Sequence, residues 1–222
     1  MFVDALKYPV QDRQHLNGTL TCLVALLLVG VLARIAGALW PDVTFVVPAA
    51  VALVPAAAFF ALLAGVLAGE GVPDLLARSS ARLAGRLLGV TAVYLLHPAL
   101  AVAAVGFVTG IGVVPVAVEG PTVATLATVA LLVTVVCGYL LPAAAVVAVE
   151  RGLRAGLRRD ALRGTARGAY FLAWVGAAVL VVLAWSVAAT TATRSLAALV
   201  GLCWFAYAHV AAAALIAEGV GR

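Results

Sequence analysis

The chain has 222 residues, 66% of them hydrophobic and 10% charged, with a net charge of +5 and a mean hydropathy of +1.20. A soluble domain averages about 45–50% apolar and about 25% charged residues, and a chain this short keeps too large a surface fraction to hide the excess, which excludes a water-soluble globule. The positive balance is no nucleic-acid signature either: arginine supplies 13 of the 14 basic residues, most of them in two clusters between apolar runs, the pattern of cytoplasmic loops in membrane proteins.

In lipid, backbone polar groups must be satisfied within a helix or a closed barrel. The apolar runs are long and lack the alternation of barrel strands, so an all-α membrane protein is expected, forming a single polytopic domain over 1–222. A spanning helix takes about 20 apolar residues. The first is expected over 18–39, ending at Trp40-Pro41-Asp42. This run is longer than the apolar core of a signal peptide, so it is read as an uncleaved helix despite Ala36-Gly37-Ala38. The second is expected over 43–68, where Pro48 and Pro55 share a face and bend it. The third covers 87–108, with Pro98 inside it. A weakly polar Gly/Pro-rich stretch from Thr109 to Pro121 is too short to cross and is expected at the interface. The fourth, fifth and sixth spans are expected over 122–148, 169–190 and 196–217.

Orientation follows from the basic residues. With the N-terminus inside, 12 of the 14 fall on the cytoplasmic side, including Lys7, Arg13 and Arg222. Arg34 and Arg194 lie near outer ends, where a long stem reaches the headgroups. The expected location is therefore the cell membrane, multi-pass, with both termini cytoplasmic. The Asn17-Gly18-Thr19 sequon then lies on the cytoplasmic side and carries no glycan.

Two inner connections read as amphipathic interfacial helices, over about 73–86 and 150–167. In the first, Arg78, Arg82 and Arg86 recur every four residues and form one stripe, opposite Leu76, Leu83 and Leu87. Leucine would enter the acyl region and arginine would face phosphate. In the second, Arg151, Arg154 and Arg158 share a face. The phase slips near Asp160, expected to cap a new helix carrying Arg163 and Arg167 next to Arg159. Spans two, four and six each end in an acid and a glycine: Glu70-Gly71, Glu150-Arg151-Gly152 and Glu218-Gly219. Glycine suits a helix C-terminus, whereas glutamate opposes its negative end and calls for an arginine partner. Three helical hairpins result, either as a true repeat or by chance placement of Glu-Gly.

Five ordered landmarks carry a family resemblance: Ala5-Leu6-Lys7-Tyr8-Pro9, Gly69-Glu70-Gly71-Val72-Pro73, Gly138-Tyr139-Leu140-Leu141-Pro142, Glu150-Arg151-Gly152-Leu153, and Gly168-Ala169-Tyr170-Phe171-Leu172-Ala173-Trp174. In this order they resemble the domain of unknown function 4013 family of prokaryotic, largely archaeal, integral membrane proteins. The chain departs from that pattern at Asp74-Leu75-Leu76, where an aromatic-acid-acid stretch is usual. The resemblance implies topology; it implies no activity and no functional residues.

Ionisable groups at membrane depth are the default functional candidates. All nine acids lie at ends or in loops, which argues against a carboxylate-based ion pathway. His97 and His209 are the deep polar residues. Two histidines without a third ligand make a poor metal site, so each is expected to hydrogen-bond a neighbouring helix. Cys22, Cys137 and Cys203 lie in apolar runs without CxxC spacing and read as packing residues. HExxH, GxSxG and Walker signatures are absent, so no enzyme and no cofactor is expected. Small-xxx-small pairs such as Gly85/Gly89 and Gly152/Gly156 predict close helix packing.

The nine arginines Arg78, Arg82, Arg86, Arg151, Arg154, Arg158, Arg159, Arg163 and Arg167 are the leading candidate site, as contacts for anionic lipid headgroups. The expected role is a non-enzymatic, lipid-organising or partner-binding membrane protein, with membrane lipids, a homo-oligomer or another membrane protein as partner. The alternative is a small transporter or channel acting as an oligomer. A polar mid-depth cavity lined by His97, Tyr94, Thr134, Tyr207 or His209 favours the alternative; a fully packed apolar bundle favours the first.

Overall fold

The computed structural model describes residues 2–69, 78–108, 120–190 and 196–221, with backbone alone at 78, 79, 108, 120, 160, 161 and 164. The described residues form α-helices and 3₁₀ turns, with no strand among them: α1 (Phe2–Lys7), α2 (Arg13–Leu39), α3 (Val46–Ala68), α4 (Arg78–Val108), α5 (Gly120–Arg151), α6 (Leu153–Gly156), α7 (Gly168–Thr190) and α8 (Leu196–Val220). Six of these, α2, α3, α4, α5, α7 and α8, are long and apolar enough to cross a membrane.

Local chemistry sets several boundaries. The Asp12 carboxylate accepts from the backbone N–H of His15 at 2.9 Å and starts α2 about a turn before the expected Gly18. Its pKa is held below the ordinary 3.8 chiefly by that backbone hydrogen bond. Asp42 does the same for the 3₁₀ turn Val43–Phe45, accepting from the Thr44 N–H at 2.9 Å, and its pKa is lowered likewise. Gly69 closes α3 at φ +70°, a left-handed position that suits glycine.

The first amphipathic stripe is not a separate interfacial helix. Helix α4 runs unbroken from Arg78, so Arg82 and Arg86 sit on the first turns of a spanning helix, and Leu83 and Leu87 are buried in the protein core rather than turned into lipid. The second connection is not one amphipathic helix either. Helix α5 extends to Arg151; Gly152 turns the chain at φ +101°; α6 makes one turn; Arg158 is extended; and Arg159–Ala166 forms a 3₁₀ segment. Arg158, not Asp160, occupies the capping position of that segment. Residues 73–77, the stretch from Thr109 to Glu119, Glu70, Arg194 and Arg222 lie outside the described residues.

Neighbouring spans pack in sequence, α2 on α3, α3 on α4, α4 on α5 and α7 on α8; α8 also contacts α1, α2, α3 and α5. The core is concentrated toward the arginine-bearing end. Ala143, Ala144, Val146, Ala148 and Val149 of α5 are fully buried there, with Leu62 and Ala64 of α3, Val90 of α4, Tyr170 and Ala173 of α7, and Leu215 of α8. Glycine permits the tightest approach at two points. A Cβ on Gly219 would lie 2.4 Å from the Ala173 Cβ, and one on Gly176 would lie 2.4 Å from the Phe2 ring. Of the spaced glycine pairs, Gly89 and Gly156 meet neighbours, Leu153 and Ala144/Ala148 respectively, while Gly85 and Gly106 face open space.

The N-terminal segment forms part of this bundle. Ala5 is buried in the main core, and Leu6 packs against a second buried cluster formed by Leu180, Ala184, Ala208 and Ala211. The Tyr207 hydroxyl donates to the Leu6 carbonyl. Tyr207 lies 13 residues before the end of α8, about 20 Å along it at 1.5 Å per residue, so α1 reaches well into the helix array. The chain then returns through the 3₁₀ turn Tyr8–Val10, whose Pro9 carbonyl accepts from the Thr19 hydroxyl at 3.0 Å. Non-spanning backbone at such depth is tolerated when protein surrounds it.

Candidate functional site

The C-terminal ends of α3, α5 and α8 converge with the starts of α4 and α7, and the arginines are gathered there. Two of them serve the helices themselves. The Arg86 guanidinium donates to the Val149 carbonyl at 2.6 Å, and Arg167 donates to the Val220 carbonyl at 3.4 Å. Each answers an orphan carbonyl at the negative end of a helix, α5 in one case and α8 in the other. Arg82, Arg151, Arg154, Arg158, Arg159 and Arg163 have exposed side chains; Arg78 is described by backbone alone. The nine candidates therefore do not act alike: Arg86 and Arg167 tie helix ends, and the exposed set faces outward. Glu150 and Glu218 are half-buried among these ends, and both interact with neighbours.

A polar seam joins α5 to α7 beside the arginines. Pro142 has no N–H to give to the Gly138 carbonyl, one turn earlier in α5. The Trp174 indole supplies that hydrogen bond instead, at 2.9 Å. The Tyr170 hydroxyl donates to the Tyr139 carbonyl at 2.5 Å, and the Tyr139 hydroxyl donates to the Thr165 carbonyl at 2.6 Å, holding the 3₁₀ segment over the seam. Tyr139 meets Tyr170 and Trp174 edge-to-face, at 5.2 and 5.3 Å between ring centres. Two landmarks of the sequence, 138–142 and 168–174, are thus halves of one interaction. The Pro142 gap was the available signal for it, because a missing donor at residue i orphans the carbonyl at i−4.

The histidines behave differently from expectation. Each bonds its own helix rather than a neighbouring one: Nδ1 of His97 lies 2.9 Å from the Val93 carbonyl, and Nδ1 of His209 lies 2.8 Å from the Phe205 carbonyl. A carbonyl only accepts, so Nδ1 carries the proton in both. His97 is exposed on the outside of the bundle. His209 packs on Phe205 and Phe59 and lines a cleft of about 480 Å³. Among the described residues no three His, Cys, Asp or Glu side chains come within reach of one metal ion.

Among the described residues the bundle is not solidly packed: clefts with largely apolar walls open between its helices. The cleft beside His209 runs between α5 and α7 and is apolar apart from His209, Thr91, the Trp174 edge and the Gly138 backbone. Thr134 lines a second cleft of about 380 Å³, between α4 and α5. A third, of about 540 Å³, lies among α2, α7 and α8 toward the opposite end.

Fold and site together define an α-helical, multi-pass integral membrane protein with a basic, tightly tied end and apolar clefts open along its sides. No family model, curated protein or solved structure matches the chain.

Proposed function

We propose that the protein is a non-enzymatic lipid-binding protein of the cell membrane, with both termini and the arginine-bearing end facing the cytoplasm. The ordered landmarks resemble those of the domain of unknown function 4013 family of integral membrane proteins, which supports the membrane topology of this reading. The observation that carries the functional reading is the division among the arginines. Arg82, Arg151, Arg154, Arg158 and Arg159 have exposed side chains gathered at one end of an apolar bundle. An anionic leaflet surface is the partner that complements them, at about 1 kcal/mol for each basic residue close to it. Anionic phospholipid headgroups are the proposed ligands.

Transport by an oligomer is the competing reading. The mid-depth cleft beside His209 disfavours it, because almost all of its wall is apolar and a hydrated solute would leave its water unreplaced there. The test is reconstitution into nanodiscs containing equal phosphatidylglycerol and phosphatidylcholine, followed by analysis of co-purifying lipid. The native chain is expected to enrich phosphatidylglycerol, increasingly so at low salt. The variant carrying Arg154→Ala, Arg158→Ala and Arg159→Ala is expected to lose that enrichment, by up to about 100-fold in affinity if the three contributions of about 1 kcal/mol add. Equal lipid composition around the native chain and the variant would overturn the reading.

A further inference from the structure

The arginine-bearing 3₁₀ segment and the cleft of about 480 Å³ beside His209 share a rim. The Tyr139 hydroxyl holds the segment at the Thr165 carbonyl, and the Tyr139 ring lies 5.3 Å, centre to centre, from Trp174. Trp174 and Gly138 line the cleft. Tyr139 thus stands between the segment that carries Arg159 and the wall of the cleft. From this rim the wall follows α7 from Trp174 to Val182 and α5 from Gly138 to Ala145, about 10–12 Å at 1.5 Å per residue. One leaflet's share of a hydrocarbon core about 30 Å thick is about 15 Å. Trp174 is six residues into α7, about 9 Å from its start, so the slot begins in the leaflet nearer the arginines. Its volume lies within the range of about 300–1,000 Å³ typical of small-ligand sites.

Building on the headgroup binding proposed for the basic end, we infer that this cleft receives an acyl chain of the same anionic phospholipid, with the phosphate on the exposed arginines and one tail in the slot between α5 and α7. Charge supplies half of the complementarity. Unlike Arg86 and Arg167, the exposed Arg154, Arg158 and Arg159 make no hydrogen bond or ion pair among the described residues, and a phosphate matches their forked donors. Polarity supplies the other half. The slot's wall is apolar apart from Thr91, His209, the Trp174 edge and the Gly138 backbone, so it accepts hydrocarbon and would strip a hydrated group of its water. A soluble anion would satisfy the arginines alone, and a hydrocarbon the slot alone. A phospholipid satisfies both, and the Tyr139 tie sets the two side by side.

Trp174 reports on the slot, because brominated acyl chains quench indole fluorescence on contact. A chain that keeps Trp174 as its only tryptophan, through Trp40→Phe, Trp185→Phe and Trp204→Phe, is reconstituted in phosphatidylcholine bilayers. A small, equal fraction of brominated phosphatidylglycerol or brominated phosphatidylcholine is included. Quenching is expected to favour phosphatidylglycerol, by up to about 100-fold in relative affinity, the equivalent of three cations at about 1 kcal/mol each. Adding Arg154→Ala, Arg158→Ala and Arg159→Ala should abolish that preference. Gly138→Leu narrows the slot from α5: a Cβ there meets nothing within 4 Å, and the carbonyl bonded to Trp174 is kept. Ala178→Leu narrows it from α7. Both should erase the preference at Trp174 yet still enrich phosphatidylglycerol in nanodiscs, which also shows that they fold. Equal quenching by the two lipids in the unblocked chain overturns the proposal. If nanodisc enrichment survives that result, headgroup binding stands without the slot; if it is lost too, both readings fall. Preference that persists in both narrowed variants also overturns the proposal, since the lipid would then lie outside the cleft.

Discussion

The two ends of the bundle are built from the same alanine, valine and leucine, yet one is packed and the other is not. At the basic end, α5 and α8 bury almost every residue over 143–149 and 210–217. At the opposite end, Leu131, Leu132, Val135 and Val136 of α5, Leu196 and Val200 of α8, and Val31 and Ile35 of α2 are all exposed. Hydropathy cannot explain this, because lipid tails are as apolar as leucine and provide no hydrophobic force between helices. What distinguishes the ends is close approach and polar ties. Glycine at 176 and 219, alanine runs, the Trp174–Gly138 bond and the Arg86–Val149 bond all lie toward the basic end. Packing in lipid follows small residues and hydrogen bonds, and where these stop the helices part.

The contrast can be broken most forcefully by removing bulk from each end in turn. Leu215→Ala, in the buried end, is expected to cost about 2 kcal/mol, the low side of the usual range for a core leucine because only packing is lost. Leu199→Ala, half-exposed at the other end, should change stability by less than about 0.5 kcal/mol. Chemical unfolding in mixed micelles reads both; equal costs would mean that the splayed end is packed after all.

The polar seam offers a finer test. Trp174→Phe strips the Gly138 carbonyl of its donor and should cost about 0.6 kcal/mol, the average measured for hydrogen bonds between membrane helices, and no more than about 1.7, their maximum. Pro142→Ala restores a backbone N–H to the same carbonyl. The double variant should therefore recover much of the loss, and additive losses in a double-mutant cycle would refute the exchange of donors.

The smallest effect belongs to the caps. Asp12 and Asp42 have pKa values lowered mainly by backbone hydrogen bonds. A depressed carboxylate contributes stability above its unfolded pKa near 3.8 and loses it as pH falls through the lower folded value. Melting temperature should thus drop on the acid side, beginning near pH 4. The Asp12→Asn, Asp42→Asn double variant keeps a capping carbonyl oxygen that does not titrate, so its acid-side slope should be shallower.

Much of the architecture was legible from residues. The six runs matched six helices because a span is a matter of length and polarity, and the glycine at 69 closes its helix as such a glycine should. The arginine stripe at 82 and 86 was equally visible, but periodicity alone cannot say whether leucines opposite it enter lipid or protein. Leu83 and Leu87 enter protein because α5 and α6 are there to receive them. The segment Phe2–Lys7 escaped for a different reason: six residues are too few to register as a span, and their fate depends on helices two hundred residues away. His209 and His97 looked alike in sequence, and only the bundle separates the cleft-lining one from the exterior one.

The tie between Leu6 and Tyr207 bridges 201 positions of sequence, and this has a consequence for biogenesis. Residues 2–7 emerge long before 196–220, so their berth does not exist while they wait. The segment lacks its final contacts until α8 is in place, so its seating is one of the last events of assembly. Fusing a bulky reporter to the front of the chain should therefore leave insertion intact and disturb only this closing step.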